Sequence, residues 1–156
     1  MIASITDRNI TSDLAIRTLR KALESQPTIK DGLILHSDQG SQYTSKAFTE
    51  FCESVNVTQS MSKAGYPYDN APMERYFNTL KNECTNLYEF TTEETLYQKV
   101  EEFAYVDYNH VRPHSYNGYR THMKQGRQHK LISTIFLATS VTKKLDHNSR
   151  GKALLS

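Results

Sequence analysis

Asp38, Glu74 and Lys81 are the residues whose types and spacing could do chemistry. Carboxylates that converge from different elements can hold divalent cations. Such cations activate an attacking oxygen and stabilise a leaving one in phosphoryl transfer. Asp38 ends the apolar run Leu33, Ile34, Leu35 and sits inside the polar stretch "HSDQGS". The carboxyl ends of strands are where α/β sheets commonly place ligands. Glu74 follows after 35 intervening residues, and Lys81 lies seven beyond it. Seven residues are two helical turns, so one helix face would carry both a metal ligand and a phosphate-binding cation. Each has a plainer role open to it: loop aspartates form turns or caps, and a helical glutamate is ordinarily solvated. Asp69 reads as a helix cap rather than a ligand.

The elements that must position these groups follow from periodicity. Residues 11–25 offer Thr11 or Ser12 as N-cap, with Leu14, Ala15, Leu19, Ala22 and Leu23 on one apolar face. Residues 33–35 read as a short, central parallel strand. Ser45 caps a second helix whose stripe is Ala47, Phe48, Phe51, Cys52 and Val55, and residues 57–61 alternate as a strand. Strand, helix and strand in under thirty residues predict a βαβ unit in a mostly parallel sheet, hence an α/β fold. A Gly-, Pro- and Asn-rich loop then leads into a helix over residues 71–87, with Pro72 in its first turn and Met73, Phe77 and Leu80 on its core face. Thr92 caps the next helix, with Leu96, Val100 and Phe103 inward. Residues 108–121, "YNHVRPHSYNGYRT", read as a basic, aromatic loop.

Lys63, Tyr66 and Tyr68 lie in the loop before the Glu74 helix, where lysine suits phosphate and tyrosine suits stacking. His110 and His114 are four apart, but Pro113 breaks any helix between them, which argues against shared metal binding. Arg112 and Arg120 either contact phosphates or brace the fold. Arg75 adds charge beside Glu74.

Composition narrows the class. The chain has 156 residues, 37% hydrophobic and 23% charged, enough for one soluble domain with a core. A net charge of +2 is weak support for a nucleic-acid partner. Cys52 and Cys84 form no CxxC pair, which speaks against a cysteine zinc site and fits a reducing cytoplasm. The longest apolar stretch, residues 131–141, is too short to span a bilayer.

Three blocks, "HSDQGSQYTS", "MSKAGYPYDNAPMERYFNTLKNE" and "YNHVRPHSYNGYRT", stand in this order and closely resemble the integrase-core transposases of bacterial insertion sequences, specifically the IS-three family. These are similar to retroviral integrases. The resemblance implies a ribonuclease-H-like catalytic core over residues 1–121, followed by a divergent or irregular tail over 122–156. It implies Mg²⁺ or Mn²⁺ in a two-metal site of the intact enzyme, with Asp38 and Glu74 as metal ligands and Lys81 near the scissile phosphate. It further implies DNA cleavage and strand transfer in a bacterial cytoplasm. The implied partners are insertion-sequence ends and target DNA, contacted by Lys63, Arg75, Lys81, Arg112 and Arg120, with self-association or docking to a full-length transposase and no membrane.

Two departures shape the expectation. The family's first Asp lies on a strand upstream of the segment matched by residues 1–5, and neither Asp7 nor Asp13 falls at its place. The chain therefore reads as N-terminally truncated, an incomplete fold lacking the first strands and inactive by itself. The alternative is a non-catalytic remnant that only binds DNA or full-length transposase. The family usually has Thr-Pro after "GYR", and this chain has Thr121-His122.

Overall fold

Thr11, rather than Ser12, starts the first helix: its side-chain oxygen accepts the Leu14 backbone N–H at 3.1 Å. The helix α1 (Ser12–Ser25) buries Leu14, Ala15, Leu19 and Ala22 at the predicted spacing, and Thr18 joins them by bonding its hydroxyl to the Leu14 carbonyl. The computed structural model describes residues 1–26, 32–63, 71–128 and 137–139. The Pro27 turn, Tyr66, Tyr68, Asp69 and Asn70 lie outside the described residues.

Strand β1 (Ala3–Ile5) precedes α1, and β2 (Leu33–Ser37) follows it. A short helix α2 (Ser41–Thr44), absent from the sequence reading, leads into α3 (Lys46–Ser54). Ser45 caps α3 as expected, accepting the Phe48 N–H at 3.2 Å. Phe48 and Cys52 are buried, but Ala47 is exposed and lies off the stripe. Strand β3 (Val57–Met61) pairs parallel with β2, Leu33 beside Val57 through Ser37 beside Met61. The βαβ expectation thus holds: the two strands are parallel and flank the helices between them.

Strand β2 differs from expectation in its burial. Leu35 and Ser37 face the core, while Ile34 is 65% exposed and His36 is exposed. A strand covered on both faces would show no such alternation. Among the described residues β2 has one partner, β3, and β1 pairs parallel with β4 (Leu137–Thr139), giving two two-stranded sheets.

The second half is helical. Helix α4 (Ala71–Leu80) runs directly into a π-helical turn, Lys81–Thr85, shorter than the predicted 71–87. Tyr76 and Leu80 are its buried residues, with Met73 and Phe77 half-buried. Tyr76, absent from the predicted core face, packs edge-on against Tyr108, ring centroids 4.9 Å apart. Thr92 caps α5 (Glu93–Glu102), accepting the Thr95 N–H at 3.3 Å, and Leu96 and Val100 are buried. A second π-helical segment, Phe103–Val111, continues α5, so residues 108–111 are helix rather than loop. A 3-10 turn at Ser115–Asn117 and helix α6 (His122–Gln128) follow.

Two apolar clusters result among the described residues. The first gathers Ala3, Leu19, Leu35, Phe48, Cys52 and Val57 from the β1–β3 half. The second gathers Tyr76, Leu80, Cys84, Leu96, Val100 and Phe103 from the helices. Polar ties join them: Ser4 N–H donates to the Tyr105 hydroxyl at 2.8 Å, Asn109 Nδ2 donates to the Met1 carbonyl at 2.8 Å, and Lys21 pairs with Glu101 at 3.0 Å. Arg8 pairs with Glu93 across the same boundary.

Candidate active site

Asp38 follows the last residue of β2 and is exposed. Its Oδ1 accepts the Gly40 backbone N–H at 2.9 Å, a turn that orients the carboxylate and satisfies one of its oxygens. Among the described residues no cation pairs with it. A clasp fixes the strand end behind it. His36 Nδ1 lies 2.9 Å from Ser60 Oγ, and its Nε2 lies 3.1 Å from Ser62 Oγ. Hydroxyls donate or accept, so either imidazole tautomer makes both contacts. Gln39 Nε2 donates to the Ser62 carbonyl at 3.0 Å, and Ser62 N–H donates to the Ser37 carbonyl at 2.8 Å. The sequence reading missed this clasp. The alternation His36-Ser37 opposite Ser60-Met61-Ser62 could have shown it once the strand register was fixed.

Lys63 is exposed immediately after Ser62, at the same sheet end as Asp38. Glu74 and Arg75 are exposed in the first turns of α4. Lys81, half-buried, begins the π-helical turn on the same continuous helix. Seven α-helical steps return to within about 20° of the starting direction, so Lys81 follows Glu74 along one face. Among the described residues no hydrogen bond or ion pair joins Asp38 to Glu74, and no three His, Cys, Asp or Glu side chains cluster to hold a metal. The donors that are present suit a hard divalent cation in kind: exposed carboxylates without an ion-pair partner among the described residues. Among the described residues they fall short in number of a two-metal set.

Other charges are already engaged. Arg112 makes a two-pronged contact with Glu83, Nε and Nη2 each 2.7 Å from a carboxylate oxygen. The guanidinium holds the Glu83 carboxyl below the usual carboxylate range. This is the bracing role left open for Arg112. Arg17 takes Asp7 and Asp13, each at 2.7 Å, and its hydrogen bond lowers the Asp7 pKa. Arg120 is exposed in the turn beyond His114.

The arrangement belongs to a class. Over 93% of its length the chain is similar, with a TM-score of 0.60 and 18% identity, to 53% of a chain in the structure of a simian T-cell lymphotropic virus intasome in complex with PP2A regulatory subunit B56 gamma. The fold is therefore the ribonuclease-H-like α/β fold of integrase cores. Residues 1–67 match one integrase core domain family, and residues 55–121 match a second of the same description.

The sequence relatives are more specific. The transposase for insertion sequence element IS904 of Lactococcus lactis is 42% identical over 90 residues, 58% of this chain and 36% of that protein. An insertion element IS600 uncharacterized 31 kDa protein of Shigella sonnei is 40% identical over 106 residues, 68% and 39% of the two chains. Transposase InsF for insertion sequence IS3A of Escherichia coli is 35% identical over 109 residues, 70% and 38%. The chain belongs to the integrase-core transposases of the IS-three family. It spans under two fifths of the length of these relatives.

Proposed function

We propose that this chain supplies part of the catalytic face of a transposase that cleaves DNA and joins its ends to a target. The observation that carries the reading is Asp38: an exposed carboxylate at the carboxyl end of a parallel strand, with one oxygen set by Gly40 and no cation partner among the described residues. Asp38 and Glu74 would hold a divalent cation, Mg²⁺ or Mn²⁺. When bound, it supplies activation of the attacking oxygen and stabilisation of the leaving one. Lys81, along the helix face from Glu74, holds the DNA phosphate near the cut. Lys63, Arg75, Arg112 and Arg120 add backbone contacts, with Arg112 shared between Glu83 and DNA. The substrates are insertion-sequence ends and target DNA in a bacterial cytoplasm. Among the described residues no helix is long and apolar enough to cross a membrane.

The absence of a three-carboxylate cluster among the described residues favours a second reading, a DNA-binding chain without catalysis of its own. Strand transfer separates the two. In a chimera joining this chain to the upstream part of a curated relative, Glu74→Gln abolishes strand transfer and leaves DNA binding within about twofold, since the amide keeps shape and loses charge. Glu83→Gln in the same chimera keeps activity. Unchanged transfer with Glu74→Gln removes Glu74 from the mechanism. A chimera that binds DNA in a salt-dependent way but never joins it establishes the second reading.

A further inference from the structure

We propose that the turn over residues 113–121 is a stacking platform for unpaired nucleic-acid bases, formed by Tyr116 and Tyr119 with Arg120 beside them; the inference rests on the DNA reading above.

Tyr116 is 98% exposed and Tyr119 is 77% exposed. Neither is exposed because the turn is loose. Tyr119 and Asn117 N–H groups both donate to the His114 carbonyl at 2.9 Å. His114 N–H donates to the Arg120 carbonyl at 3.2 Å, closing an antiparallel bridge, and Arg120 N–H donates to the Asn117 carbonyl at 3.2 Å. The turn is also pinned from beneath. The His114 ring donates from Nε2 to the Tyr108 carbonyl at 3.2 Å and packs against the rings of Tyr108 and His122.

The backbone conformation that presents the rings is unusual. Gly118 and Tyr119 are consecutive left-handed residues, each at φ +60°. Glycine adopts this freely, whereas a bulky side chain avoids it. The turn therefore holds a tyrosine in an unfavourable conformation and keeps its ring in water. Strain kept in a surface turn points to a use for the ring.

The chemistry of the turn selects the partner. The two rings are separated by Asn117 and Gly118 rather than joined into an aliphatic patch, and no acidic residue lies between Pro113 and Thr121. Arg120 is exposed among them. Rigid aromatic faces beside a guanidinium take bases by stacking and the neighbouring phosphates by charge. Paired bases hide their faces within the duplex. The partner is thus a single strand or a frayed end, such as a cut would leave.

The test measures binding of the 156-residue chain to an oligothymidine of about 12 nucleotides, to an abasic strand of the same length, and to a blunt duplex. Tyr116→Ala and Tyr119→Ala each weaken oligothymidine binding by about 5- to 100-fold and leave abasic binding unchanged, while Tyr116→Phe stays near wild type. Tyr116 touches little, so its variants fold, and circular dichroism checks this. Alanine variants that bind oligothymidine like wild type overturn the proposal, as does an equal loss on the abasic strand. A change in oligomeric state without a change in DNA affinity also overturns it, by giving the rings to a second copy of the chain. Wild-type binding to the duplex keeps the two readings apart. If it is present and the alanine variants lose nothing on oligothymidine, stacking fails and the DNA reading stands. If wild type binds none of the three, the DNA reading fails and stacking falls with it.

Discussion

His122 stands where the resemblance implies proline, and the structure gives it a consequence. Its ring lies on His114, centroids 3.9 Å apart, and on Tyr108 at 5.0 Å, with Nε2 buried and without a hydrogen-bond partner among the described residues. Desolvation first, then His114, the chain's amino group and Arg112, depress its pKa from the ordinary 6.5 to about 4. Burial also lowers that of His114. A histidine with a depressed folded pKa contributes stability that is complete above its unfolded value. Between pH 6.5 and 4 the unfolded state binds the proton more tightly, so that stability is lost as pH falls through this window. The loss from His122 comes to about 1–2 kcal/mol once discounted for the solvent reaching a half-buried ring. His122→Phe keeps the stacking and removes the titration, so denaturant melts at pH 7 and pH 4.5 should lie closer together in the variant. Glu83, lowered by Arg112, and Asp7, lowered by Arg17, act in the same direction only below the ordinary carboxylate range. A slope between pH 6.5 and 4.5 that His122→Phe leaves untouched would remove His122 as its source.

Among elements, α5 shows how much a single cap decides. Thr92 is its side-chain cap, and the helix carries Leu96 and Val100 into the second cluster. Thr92→Ala should cost about 1 kcal/mol, and Thr92→Ser should recover most of it. A thermal melt of the alanine variant matching wild type would show that packing, not the cap, sets the helix start. Caps and stripes of this kind were legible in the sequence: Thr11, Ser45 and Thr92 all accept the N–H that their positions predict. The β2–β3 pairing was legible too, because a βαβ unit leaves little choice of topology. Other features were not. The π-helical turns after Leu80 and Glu102 depend on i−5 hydrogen bonds, such as Asn86 N–H to the Lys81 carbonyl at 2.9 Å, and no residue type signals them. Tyr76, absent from the predicted core, hides its hydroxyl without a partner among the described residues, against the usual preference of a buried tyrosine. Types and spacing marked Asp38, Glu74 and Lys81 as candidates. The engagement of Arg112 by Glu83 came from a contact between residues 29 apart that periodicity cannot reach.

At the scale of the molecule, the two apolar clusters each hold one cysteine. Cys52 sits in the first and Cys84 in the second, both buried, and burial pushes each thiol up to about 11. Neither thiolate forms readily at neutral pH, and neither sulfur can be reached while its cluster is closed. The chain thus carries a built-in clock in each half. A disulfide reagent added under native conditions reacts with Cys52 only when the β1–β3 half opens, and with Cys84 only when the helices part. Polar contacts, each worth about 1 kcal/mol, tie the boundary between the halves, with the Met1 side chain packed against the second cluster beside them. Openings of one half should therefore outrun global unfolding. Mass spectrometry of the modified peptides should find the two cysteines labelled at different rates, drawn together only when denaturant makes whole-chain unfolding the faster route. A single common rate without denaturant would show that the polar ties make the two halves one cooperative unit.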